Sequence, residues 1–368
     1  MEIKFAVVVV LFSLGLVPTK AESRSQEFSG RDRFPVYAEK SGFSLIVPAM
    51  PSHSIGIYWG RMNQFQVLNL NDGAVSKSLA IGVEGSCSAH ALAPDGSELA
   101  LYMVGRSSKK TIDFCSAIDG SRRNSIQVKG RFIWMQYIGG NRLVAATNDY
   151  WTVFDSIQGK TVVEKVRLPR SGLTHGRNDF RISRNGELIS CKTSRNGATV
   201  WDLNSGKAIG EFKTKPPVNI YATEFSDDGK ELYVIGRRSK TYLTVFSVDT
   251  QKVLKNLTLP RRGFPGNLDL YQNFMGQMIE VLPDSAGILI CGQAMIDSES
   301  GDLKWADKAK LTPTRFRKIV GDQQIVLLAG RKHKSFERIN FPWLDTEASE
   351  PMPMVEDAVE ILIKPDRD

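Results

Sequence analysis

An all-β fold, a single seven-bladed β-propeller of four-stranded antiparallel blades, is what this sequence predicts, on three observations. Its apolar runs are short and end at Gly-, Asn- and Asp-containing turn pairs. Those turn pairs recur at an even spacing along the chain. And a four-stranded meander cannot bury both its faces alone, so each unit needs a copy on either side.

The clearest unit covers residues 178–214. Phe180 and Ile182, then Leu188 and Ile189, then Val200, Trp201 and Leu203, then Ile209 and Phe212 mark four short strands. Asn185-Gly186, Asn196-Gly197 and Ser205-Gly206 separate them, and each pair tolerates a positive φ. The first turns of all units fall at Ser52-His53, Asp95-Gly96, Gly140, Asn185-Gly186, Asp228-Gly229, Ser285–Gly287 and Gly321-Asp322. Positions 53, 96, 140, 186, 229, 287 and 321 stand 43, 44, 46, 43, 58 and 34 residues apart. Four of these steps match the blade period of about 40–45 residues. The long step holds an insertion, Arg261–Gly276, and the short one belongs to a truncated sixth unit, Ile279–Lys308. The units run over 43–85, 87–130, 131–169, 176–214, 219–260, 276–310 and 314–343.

A ring of such units needs one terminus to complete its last sheet, because an open edge pairs with other chains. Phe34–Ala38 is the preferred closing segment, with Ala358–Lys364 as the alternative. The organisation is therefore 1–21 as a signal peptide, 22–32 as a linker, 33–343 as the propeller and 344–368 as a C-terminal extension. In the leader, Lys4 precedes the uncharged run Phe5–Val17, and Thr19-Lys20-Ala21 supplies a small-residue cleavage site. The run is too short to cross a bilayer as a helix. The expectation is an exported protein, secreted or periplasmic, with no membrane span after signal cleavage.

An oxidising destination raises the question of disulfides among the four cysteines. Cys191 and Cys291 occupy equivalent second-strand positions in units that are not neighbours, too far apart to bridge. Cys87 and Cys115 fall in the first and third strands of one unit. Four buried thiols are expected, against the alternative of one bridge involving Cys87.

Ser226–Pro260 resembles a YVTN-type propeller repeat through Asp228-Gly229-Lys230, Leu232-Tyr233-Val234 and Val248-Asp249-Thr250. Trp201-Asp202 resembles the WD-repeat signature, and Ala93–Gly96 fits either family. The chain departs from the WD pattern in two places. His175-Gly176 reverses the usual Gly-His, and the turn Arg195-Asn196-Gly197 lacks the usual Asp, so the resemblance implies a propeller without the hydrogen-bonded tetrad. These families share a shape and not an activity, so function must come from the site.

Charge supplies the functional signal. The chain carries a formal +8 with a pI near 9.2. In a blade, first and third turns lie at one end, and second turns with the links between blades lie at the other. Second turns hold Arg61, Arg106, Lys109, Lys110, Arg195, Arg237, Arg238, Lys240, Arg331, Lys332 and Lys334. Links add Lys129, Arg131, Arg170, Arg177, Lys213, Lys215, Arg261 and Arg262. First and third turns hold Asp72, Asp95, Asp119, Asp227, Asp228, Asp249, Asp284 and Asp322. One face is thus expected to be strongly basic and the other mildly acidic, and a ring of like charge attracts anions. The expected ligands are an anionic polysaccharide, lipid head groups or an acidic protein, with Phe264, Tyr271 and Phe274 of the insertion available as apolar contacts. Nucleic acid is a weaker expectation, since single-strand binding wants exposed aromatics whereas Trp151 and Trp201 fall in third strands, which pack between blades.

Motifs for catalysis are scarce. The sequence has no His-Glu-x-x-His, Gly-x-Ser-x-Gly, phosphate-binding glycine loop or Cys-x-x-Cys, and no cofactor is implied. His53, His90, His175 and His333 are scattered, and only His175 and His333 map to the basic face. Asp297–Asp302 is an acidic turn with a weak claim to calcium, and Asn256-Leu257-Thr258 is a formal glycosylation sequon. An enzyme of the lactonase or quinoprotein-dehydrogenase kind would need a site at the channel mouth. For that, Glu39, Glu84, Glu224 and Glu280 near the starts of first strands are the acids to inspect, Glu224 and Glu280 first, with His175 beside them.

Overall fold

The computed structural model describes residues 31–35, 45–48, 54–59, 64–69, 79–80, 86–105, 109–139, 141–169, 179–259, 279–282, 287–290, 294–306, 317–320, 324–329 and 335–340. Five consecutive four-stranded antiparallel sheets form the part whose side chains are described. The first of these comprises β6 (Ser86–Leu92), β7 (Glu98–Val104), β8 (Lys110–Ser116) and β9 (Arg122–Gln127). The second comprises β10 (Trp134–Ile138), β11 (Arg142–Ala146), β12 (Tyr150–Asp155) and β13 (Lys160–Arg167). Then come β14 (Phe180–Ile182), β15 (Leu188–Ser194), β16 (Gly197–Asp202) and β17 (Ala208–Lys213), and β18 (Asn219–Phe225), β19 (Glu231–Arg237), β20 (Thr241–Ser247) and β21 (Val253–Thr258). The last has β22 (Ile279–Val281), β23 (Ile288–Ile290), β24 (Ala294–Ile296) and β25 (Leu303–Ala306). The sixth unit is therefore short in its strands but complete in their number. Two further sheets are described by their backbone pairing: β2 (Leu45–Pro48) to β5 (Leu79–Ala80), and β26 (Arg317–Val320), β27 (Gln324–Ala329) and β28 (Ser335–Asn340) joined by β1 (Arg31–Pro35).

β1 lies antiparallel to β28, with Phe34 opposite Phe336. The N-terminal segment thus completes the last sheet, beginning three residues before the segment Phe34–Ala38 expected to do so.

Burial explains the strand order. β11, β12 and β15 are buried on both faces, while β9, β13 and β21 alternate or are largely exposed. First strands are buried too, as β14 and β18 show. The core sits between sheets, as successive apolar layers. One layer joins β10–β12 to β14–β16 through Trp134, Trp151, Phe180, Ile189 and Trp201. Trp134 stacks on Phe180 at 5.3 Å, and Trp151 meets Trp201 edge-on at 6.4 Å. Both third-strand tryptophans therefore pack between sheets, as their positions predicted. Aromatic pairs in such geometries add about 0.5–1.5 kcal/mol beyond area burial. The next layer uses Phe212 and Phe246, 5.6 Å apart, and the one after it Tyr221, Tyr233, Ile279 and Ile290.

Turn chemistry repeats with the sheets. After first strands, Gly96, Gly186 and Gly229 take φ of 73°, 72° and 73°, and their amides close on Ala93, Ser183 and Ser226 carbonyls. After third strands, the residue four past the strand end has a positive φ in Gly120, Gly159, Gly206 and Gln251, and five past it in Gly301. Gln251 is the non-glycine among these at 58°, a conformation costing L residues about 1–2 kcal/mol. Its side chain donates to the Ile209 carbonyl at 2.9 Å, anchoring the strained turn to the neighbouring sheet. Asn196-Gly197 differs from the expectation: Gly197 opens β16 without a positive φ. A Cβ there would lie 2.5 Å from Ser194 Oγ, so a larger residue would displace that hydroxyl.

Cys87, Cys115 and Cys191 are thiols, with β7 between the first two. Cys115 and Cys191 are buried as expected, but Cys87 is half-buried, and Cys291 lies outside the described residues. Burial pushes the Cys115 thiol up to about 12 and raises Cys191 as well, which makes both poor nucleophiles.

Candidate functional site

Two regions hold concentrated charge: one set of turn ends, and the innermost strands. Because neighbouring strands run in opposite directions, second turns and inter-sheet links share one end of the sheets. Lys109, Arg238 and Lys240 are exposed there and Arg237 is half-buried. The Arg238 amide donates to the Lys240 carbonyl at 3.1 Å, fixing a tight turn that carries three cations. Lys129, Arg131, Arg195, Lys213 and Lys215 are exposed at the same end of neighbouring sheets. Lys213 is in an ion pair with Glu211 at 3.0 Å. The β11–β12 turn departs from the pattern, because it carries Asp149. Arg61, Arg106, Arg261, Arg262, Arg331, Lys332 and His175 lie outside the described residues, as do Glu39 and Glu84.

At the opposite end the acids are consumed by their own turns. Asp95 accepts from the Ser97 amide at 3.0 Å and Asp228 from the Lys230 amide at 3.0 Å. The Ser121 hydroxyl and amide hold Asp119 down at about 2. Basic side chains also sit here: Arg184 pairs with Asp227 at 2.9 Å and Lys230 with Asp228 at 3.3 Å. The calcium reading of Asp297–Asp302 is replaced by ordinary turn chemistry. Asp297 accepts from the amides of Glu299 and Ser300 and pairs with Lys304 at 2.7 Å, and these contacts hold its carboxyl well below the usual range. Among the described residues, no group of three His, Cys, Asp or Glu side chains is placed to hold a metal ion.

The innermost strands present the second region. Arg181 on β14, Glu224 on β18 and Glu280 on β22 occupy one structural position. Each stands two residues before the amide that closes its first turn, those of Ser183, Ser226 and Leu282. β14 packs on β18, and β18 on β22. Arg181 Nη1 donates to the Phe180 carbonyl at 2.7 Å, and its Nε stands 3.5 Å from Glu224 Oε2. Glu224 Oε1 accepts from the Phe225 amide at 3.1 Å. A buried hydroxyl pair, Ser190 and Thr223 at 2.8 Å, ties the same two sheets together. Arg181 is 6% exposed and Glu224 8%, and Arg181 Nε, Arg181 Nη2 and Glu224 Oε2 have no hydrogen-bond partner among the described residues.

Burial dominates the electrostatics here. It pushes Glu224 up to about 8, against the pull of Arg181 and the Phe225 amide, with Glu280 and Asp227 adding to the rise. It also lowers Arg181, which Glu224, Asp179 and Glu280 oppose. A carboxyl poised near neutrality beside a cation can hold or pass a proton, and no nucleophile stands in this group.

One sequence expectation changes. Glu224 is the penultimate residue of β18, not near its start, because the strand begins at Asn219. It is buried against Arg181. Arg181 itself escaped the sequence reading. Flanked by Phe180 and Ile182, it looks like the solvent side of an alternating strand. The available signal was position: it precedes its first turn by the same interval as Glu224.

No protein-family model and no curated protein matches this chain. Solved structures do. A chain of hydrazine synthase from Kuenenia stuttgartiensis superposes with a TM-score of 0.58 at 13% identity, over 83% of this chain and 98% of that one. The β-propeller domain of Cps50 (Swd1) from Myceliophteria thermophila superposes with a TM-score of 0.59 at 9% identity, over 84% and 99%. At such identities the likeness is one of fold. The chain has a propeller-like all-β architecture.

Proposed function

We propose that this chain is an exported, non-catalytic binding propeller of seven blades, closed by β1, whose basic turn end holds an anionic partner: an acidic polysaccharide, lipid head groups or an acidic protein. The observation that carries this reading is the clustering of Arg237, Arg238 and Lys240 with Arg195, Lys213 and Lys215 at one end of adjoining sheets. At the opposite end basic side chains pair with the turn aspartates, so that end is less acidic than those aspartates alone would make it, and the excess positive charge gathers at the basic end. Arginine forks suit carboxylate, sulfate and phosphate oxygens, and a field of one sign raises the local anion concentration. The leader pattern at residues 1–21 supports export.

The test is binding of the purified protein to an array of anionic glycans and lipid vesicles across a salt series. Binding should weaken as salt rises, and weaken again when Arg237, Arg238, Arg331 and Lys332 are all changed to serine. Binding to no polyanion, or binding indifferent to those four changes, removes the basic end as the working surface. A second reading, an enzyme acting at the innermost strands, draws on Glu224 beside Arg181. Turnover of a lactone that is lost in Glu224→Gln is the result that favours it.

A further inference from the structure

We propose that Arg181 and Glu224 form a binding site for a small carboxylate, separate from the basic turn end and independent of it. Nε and Nη2 make up the side-on edge of a guanidinium, the pair of donors whose spacing matches the two oxygens of a carboxylate. On Arg181 both are buried and without a hydrogen-bond partner among the described residues, while Nη1 is occupied by the Phe180 carbonyl. Leaving such donors unsatisfied in a protein interior is costly, and natural structures seldom do so. Glu224 faces the same edge, yet at 3.5 Å its Oε2 makes no hydrogen bond to it. Its other oxygen is taken by the Phe225 amide. The group therefore offers two donors and one oxygen that serves as donor when protonated and acceptor when not.

A bound carboxylate satisfies all three. Its oxygens accept from Nε and Nη2 of Arg181, and the Glu224 carboxyl, carrying its proton, donates to one of them. Proton and anion then bind together, so the arriving negative charge is not added to a charged Glu224. The surroundings favour that state. Glu280 on β22 and Asp227 in the turn after β18 both raise the Glu224 carboxyl, and Asp179 on the Arg181 side supports the charged guanidinium. Tyr233, directly opposite Glu224 on β19, has its hydroxyl committed to Glu231 at 2.7 Å.

The experiment is titration of the purified full chain with sodium acetate at constant ionic strength, balanced with chloride, at pH 6 and pH 9. The readout is the arginine Nε–H resonance assigned to Arg181. A saturable shift is expected at pH 6, at least tenfold weaker at pH 9. It should disappear in Arg181→Gln and persist in the Arg238→Ser, Lys240→Ser double variant. Glu224→Gln, nearly isosteric and carrying a permanent donor, should still bind and should lose the pH dependence. A response that never saturates, or that survives Arg181→Gln, overturns the site, as does loss of binding in the Arg238, Lys240 variant. Should Arg181→Gln fail to fold, Glu224→Gln decides alone: pH dependence retained in that variant sinks the proposal.

Discussion

The same two sheets hold two arginine–carboxylate pairs, three residues apart along the chain. Arg184–Asp227 has the better distance, 2.9 Å, with the two side chains 56% and 43% exposed. Arg181–Glu224 has the worse one, 3.5 Å, with the side chains 8% and 11% exposed. Distance alone ranks the outer pair first. Energetics reverses the order. An exposed pair exchanges one set of well-solvated contacts for another, and its net value is about 0–1 kcal/mol. A buried pair has lost its water, so whatever its partner fails to supply is missing altogether, and removing one member costs about 3–5 kcal/mol. Environment, more than geometry, decides which pair the fold depends on.

The sharpest break of this comparison comes from deleting Glu224. At pH 9, where Glu224 is ionised, Glu224→Leu should destabilise the protein by about 3–5 kcal/mol, read from urea unfolding midpoints, because Arg181 cannot shed its charge to compensate. Arg181→Met should cost less at pH 6, where Glu224 already carries its proton, and its cost should grow toward pH 9. Equal costs for both changes at both pH values contradict this asymmetry.

The next effect is the pH dependence of the native protein. Glu224 titrates from an ordinary 4.5 when unfolded and about 8 when folded. Between those values the folded state binds more protons, so this group's contribution is complete below about pH 4.5 and is lost as pH rises through 8. The slope from this one group reaches at most about 1.4 kcal/mol per pH unit. Glu224→Gln should match the native protein near pH 4 and exceed it in stability by a margin that grows from pH 4.5 toward pH 9. A native curve that rises over this window after correction by the variant's curve refutes the assignment.

The smallest effect belongs to the outer pair. A double-mutant cycle on Arg184→Ala and Asp227→Ala should give a coupling of about 0.2–1 kcal/mol that fades in high salt. A coupling as large as that of the inner pair removes the contrast between them.

What the sequence disclosed and what it withheld follow from how local each determinant is. The Asn185-Gly186 and Asp228-Gly229 turns are written in adjacent residues, and both appear where expected with glycine at positive φ. The third-strand positions of Trp151 and Trp201 predict packing between sheets, and they meet there. Lys109, Arg238 and Lys240 could be placed at one end because strand direction alternates. Asp149, at the same end, escaped because the Thr147–Tyr150 turn holds no glycine to announce it; the Thr147 hydroxyl closes it instead, accepting from both the Asp149 and Tyr150 amides. Arg181 was hidden for a different reason. Alternation along a strand distinguishes core from solvent only when one face is wet, and an innermost strand has no wet face.

The β1–β28 pairing joins residues about 300 positions apart in the chain. A ribosome releases Phe34 early and Phe336 nearly last, so β1 must wait through synthesis of almost everything else before its partner exists. A chain truncated ahead of Ser335 would leave it with bare amides and carbonyls along its length. Only a chain that extends through Asn340 can bring these two strands together.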